Sequence, residues 1–138
     1  LATQEGLELR SYLAAADLSD EQYFIVATNG TDDTAALAAA DSDNIIGVLQ
    51  NKPSAAGQMA SVAIRGKVKV VRPATVSIAA GTWVTADSAG KAVPLLHSDG
   101  DIVTVLGMCT ATLGATGNNE LIEVELHISR IYAGAAQS

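Results

Sequence analysis

A chain of 138 residues is long enough for one domain with a real core; it is 49% apolar but only 4% aromatic, so small side chains suited to pleated sheets must fill that core. Fifteen acidic against eight basic residues give a net charge of −7, which repels a phosphate backbone and argues against nucleic acid as a partner. Cys109 is the single cysteine, so an intrachain disulfide and a Cys-based zinc site are excluded, and neither a secretory leader pattern nor an apolar run near the roughly 20 residues of a spanning helix appears, so no membrane partner is expected.

In chain order, residues 1–16 read as an N-terminal arm or edge strand, with a short alternating stretch at residues 7–13 followed by three alanines. Ser19 and Gln22 have capping-box spacing and predict a single helical turn, the apolar run behind them being too short for more. Residues 23–28 are a strand by aromatic and β-branched content, closed by the turn signal Asn29, Gly30. Residues 35–40 suit a helical turn or a strand equally. Residues 44–50 form a further strand, ended by Asn51 to Pro53.

The clearest pattern follows. Val62, Ile64, Gly66, Val68 and Val70 alternate with Ala63, Arg65, Lys67 and Lys69, which predicts one long strand with one wet face, stopped by Pro73. Trp83 to Thr85 and Ala92 to Val93 make a hairpin around Ser88, Ala89 and Gly90. Residues 101–113 are apolar on both faces, as in a strand covered on both sides. Over residues 120–128, Ile122, Val124, Leu126 and Ile128 are expected inward, with Glu123, Glu125 and His127 outward. The tail, residues 132–138, is expected to fray.

An offset of 60 residues places Gly30 on Gly90, Asp41 on Asp101, Gly47 on Gly107 and Val62 on Ile122. Shared turn spacing explains this, or a duplication that would make a pseudo-twofold barrel. The expected fold is all-β: a small antiparallel β-barrel or β-tulip-like domain over residues 17–131, with one or two short helical turns and an extended N-terminal arm.

Catalytic chemistry has little to stand on. His127 belongs to an outward strand face beside Glu125, and His97 to a polar loop; both read as solvated histidines. Cys109 falls in the two-faced apolar strand, where a buried inert thiol is expected. Asp32 with Asp33, Asp41 with Asp43, and Asp99 with Asp101 lack the spacing of a calcium loop and read as polar turns. No cofactor or metal is therefore expected. One surface is patterned: Arg65, Lys67 and Lys69 share a strand face, with Arg72 just beyond. They either dock an acidic partner or pair across strands with Glu123 and Glu125. Leu7, Leu9, Tyr12 and Leu13 of the arm are candidates for contact with a neighbouring sheet edge.

The segments 46–53, 56–58 and 62–66, followed by 78–84, 87–93, 105–107 and 121–126, resemble in order a series found in phage capsid decoration proteins. The resemblance spans roughly residues 17–128 and leaves the arm outside. It implies a small tulip- or barrel-like fold, no catalysis, and binding to the outer surface of an expanded head shell, often as a homotrimer. The partners it implies are the major capsid protein and the chain itself, on the virion, after synthesis in the host cytoplasm. The rival reading is a glycan- or host-surface-binding module of a tail or fibre, with Trp83, Tyr23 and Tyr12 as a stacking platform.

Overall fold

A computed structural model describes residues 5–41, 43–95, 101–116 and 119–133. Its described residues are all-β, in nine strands: β1 (Glu5–Ala14), β2 (Ile25–Thr28), β3 (Thr34–Leu37), β4 (Ile45–Leu49), β5 (Met59–Arg72), β6 (Trp83–Ala86), β7 (Ala92–Pro94), β8 (Asp101–Thr116) and β9 (Asn119–Ala133). They form one large sheet in the order β1, β3, β2, β4, β5, β9, β8, β6, β7. Strand β1 also pairs antiparallel with β5, curling the first five strands of that order into a partial ring. The expected barrel is therefore replaced by a partial ring with four further strands extending from it, ending at β7 and Pro94.

The expected helical turns are absent from the described residues. At residues 17–24, Asp17 Oδ1 accepts both the backbone N–H of Ser19 (2.9 Å) and its hydroxyl (2.6 Å), an Asx turn in place of a helix cap. Gln22 does not reach back to Ser19; its Nε2 donates to Gln50 O at 2.8 Å. Tyr23 then takes φ 71°, which no right-handed helix accommodates. Residues 34–37 resolve as strand β3, paired with β2.

Two assignments of strand faces need correction. Strand β5 does not keep one face: Gly66 has φ 103°, and the side chains before and after it serve different cores. Val62 and Ile64 pack with Ala14, Val26, Ala35 and Leu49, whereas Val68 and Val70 join the main cluster with Ile25, Val48, Leu106, Ile122 and Val124. The positive φ of Gly66, next to a register irregularity between Ala63 and Arg65, resets the alternation. Glu123 is also buried rather than outward.

Strand β8 is covered on both faces, with Val103, Thr104, Val105 and Leu106 all buried. Its buried Thr104 is satisfied: the hydroxyl donates to Asp43 O at 2.7 Å, and Thr104 O accepts the Thr85 hydroxyl at 2.7 Å. His97 and Asp99, and the tail beyond residue 133, lie outside the described residues.

Candidate functional site

The basic stripe is largely consumed within the sheet. Lys67 lies directly opposite Glu125, and Lys69 opposite Glu123. Lys67 Nζ is 3.8 Å from Glu123 Oε1, and the Thr110 hydroxyl donates to the same oxygen at 2.6 Å, so the buried carboxylate has two partners. Lys69 Nζ stands 5.6 Å from the centroid of the Tyr23 ring. Arg72 pairs with Glu120 and donates to Val76 O at 2.6 Å and Pro73 O at 3.2 Å. Arg65 differs: its side chain is 77% exposed, and its ion pair with Glu8 is long at 3.9 Å.

The apolar candidates of β1 divide by face. Leu7 packs against the main core and Tyr12 against the ring core. Leu9 and Leu13 point outward, each 47% exposed, and Met59, 59% exposed, is the register partner of Leu13. Together these three make a small apolar surface on the β1 and β5 side of the ring. Sequence alternation suggested Leu9 and Leu13; Met59 was missed because the pairing that brings it to Leu13 spans 46 residues.

A cleft of about 730 Å³ opens at the end of the ring. Tyr12, Ile46 and Ile64 line it, and all three also pack on the ring core. Consecutive residues 64–66 of β5 form one wall, and consecutive residues 125–128 of β9 the other. Neighbouring residues of a strand point to opposite faces, so a wall of consecutive residues is a strand edge. The cause is the pairing pattern: one edge of β5 pairs with β4 at Val62 and Ala63 and with β9 from Lys67 to Arg72, leaving residues 64–66 between them, while β1 pairs along the opposite edge. Nothing in β5's periodicity announced that switch.

The aromatic platform does not assemble. Tyr12 packs on the ring core and Tyr23 on a third cluster with Phe24, Val71 and Leu121. Trp83 is exposed and meets His127 edge-to-face, ring centroids 6.0 Å apart. The acidic turns use their carboxylates locally: Asp43 Oδ2 accepts Ala39 N–H, and Asp87 Oδ1 accepts Ala89 and Lys91 N–H. Among the described residues no group of three or more potential ligands converges on a metal position. Cys109 is buried, and burial raises its thiol above the ordinary range, which keeps it protonated and unreactive.

What these residues build is an all-β scaffold whose distinctive features are surfaces of contact: an apolar patch, an exposed arginine and a slot between strand edges. Residues 18–126 match the family model described as phage cement protein, most of the chain, and the chain belongs to that family. The family is one of structural proteins of the bacteriophage capsid. Comparison with curated proteins finds no match.

Proposed function

We propose that this protein decorates the outer surface of an assembled phage head, binds its major capsid protein and stabilises the shell. The observation that carries this reading is the phage cement family match over residues 18–126. Such a protein acts by binding the assembled lattice better than free shell subunits, which shifts the assembly equilibrium by mass action. Trimerisation on the shell would add avidity, so a modest affinity per contact suffices. The role is structural, without catalysis. Synthesis in the host cytoplasm and attachment after shell assembly complete the proposal.

Leu9, Leu13 and Arg65 are the outward-facing members of the candidate contact set, and we assign them the contact; Leu7, Tyr12, Lys67, Lys69 and Arg72 support it from within. Because all four cations already have partners in the sheet, Arg65 through only a long ion pair with Glu8, attachment should depend weakly on salt, as expected of apolar docking. The test is to add purified protein to undecorated heads and locate it by cryo-electron microscopy. Density at symmetry-related sites on the outer shell supports the reading. Density on the tail, or none, overturns it.

A further inference from the structure

The cleft at the ring mouth is built to receive a strand. We propose that it binds an extended segment of the shell subunit, which adds to the edge of β9 at residues 126–129; this rests on the decoration reading above. Strand β9 pairs with β8 along its whole length, but with β5 only as far as Glu125. Beyond Glu125, no described strand pairs with the edge of β9 that faces away from β8. Strand addition satisfies such an edge with main-chain hydrogen bonds, while pockets for alternate side chains set the preference.

The walls state the chemistry of the occupant. Ile46, Ile64, Leu126 and Ile128 offer aliphatic contact to every second side chain of an inserted strand. Arg65 on the β5 wall is mostly exposed and only weakly engaged by Glu8, so it suits a carboxylate on the incoming segment. Glu125 and His127 on the β9 wall suit donors opposite that carboxylate. The segment is thus aliphatic at alternate positions with an acidic residue on the β5 side. A second copy of this chain is disfavoured as the occupant, because it would bring another net charge of −7 to the mouth.

Hydrogen exchange, resolved residue by residue, tests this on the free protein and on decorated heads. Strand addition slows those amides of residues 126–129 that are not already bonded to β8, whose register with β9 is irregular between Leu126 and Ser129; the expected slowing on heads is about tenfold or more. Arg65→Glu, at an exposed position that should leave the fold intact, is expected to weaken attachment about tenfold. Attachment to heads with unchanged exchange at residues 126–129 overturns the slot while leaving decoration standing. Absence of attachment overturns both. Slowing that grows with concentration in the free protein identifies a second copy as the occupant and overturns the assignment to the shell.

Discussion

The two halves of the sheet are built to one plan and finished differently. In the first, hairpin β2 and β3 is followed by β4, which pairs back onto β2, and then by β5, antiparallel to β4. In the second, hairpin β6 and β7 is followed by β8 on β6, then β9 antiparallel to β8. Val26 pairs with Gly47 where Val84 pairs with Gly107. Both glycines meet the same obstruction. A Cβ on Gly47 would lie 2.0 Å from Ala63 O and 2.9 Å from Val62 Cγ1; on Gly107 it would lie 2.2 Å from Glu125 O and 2.9 Å from Val124 Cγ1. The halves differ in what covers the last strand. The edge of β5 that faces away from β4 is taken by β1 from Met59 to Lys67, whereas the corresponding edge of β9, taken by β5 as far as Glu125, has no such cover from residue 126 among the described residues. The ring and its cleft therefore follow from adding one strand to one of two like units.

The strongest way to break this equivalence is to place a methyl at each glycine. Gly47→Ala and Gly107→Ala both force a backbone carbonyl to move, so each should destabilise by about 3 kcal/mol or more. Thermal unfolding followed by circular dichroism should show both midpoints falling by about 10 °C. If one substitution is tolerated and the other is not, the halves do not share a constraint.

A smaller effect is expected where the strand leaving each glycine separates from its partner. In the first half, Asn51 fills the gap: its Oδ1 accepts Ser61 N–H at 2.9 Å and its Nδ2 donates to Met59 O at 2.9 Å. In the second, Thr110 donates to Glu123, whose carboxylate is buried. Thr110→Val leaves that carboxylate with one partner fewer and should cost about 1–2 kcal/mol. Asn51→Ala is more exposed to water and should cost about 1 kcal/mol or less. Urea denaturation with unchanged slope would measure both. Equal losses would mean that burial of Glu123 contributes nothing.

Surface changes should separate attachment from folding. Leu9→Ser with Leu13→Ser removes exposed apolar groups and should alter stability by no more than about 0.5 kcal/mol. Attachment to undecorated heads, measured by co-sedimentation, should nevertheless weaken severalfold. Unchanged attachment would move the contact away from the first half.

Most strands were legible because β-branched alternation and turn residues are local signals. The offset of 60 holds in the structure at Gly47 and Gly107 only: the strands beside them match at 58 (Val26 with Val84) and 62 (Val62 with Val124, in place of Ile122). Three features were not legible. The reversal of face in β5 depends on the backbone angle of one glycine, which side-chain patterning does not encode. The inward Glu123 depends on Thr110 and Lys67 arriving from two other strands. The cleft depends on β4 and β9 taking successive stretches of one edge of β5 while β1 runs along the other, a property of pairing between distant segments. The contact residues were half legible: alternation found Leu9 and Leu13 but could not tell them from the inward Leu7.

The smallest effect should come from the turn at residues 17–24, which leads into the first half. Two carboxylates there are shifted in opposite directions. The Ser19 hydroxyl and backbone N–H hold Asp17 below the ordinary carboxylate range, while burial and then the neighbouring charges of Asp20 and Asp17 push Glu21 up. A lowered value stabilises the fold above the unfolded pKa and loses that contribution as pH falls through the folded one. A raised value does the reverse: the contribution of Glu21 is fully present below its unfolded pKa and is lost as pH rises through the folded one. Glu21 Oε2 is buried without a hydrogen-bond partner among the described residues, so ionisation there is uncompensated. Glu21→Gln should therefore stabilise the protein at neutral pH, by well under about 1 kcal/mol because solvent screens the site, and leave stability near pH 3 unchanged. Unfolding midpoints measured from pH 3 to pH 8 would test this. A gain at pH 3 equal to that at pH 7 would point to side-chain shape rather than charge as the cause.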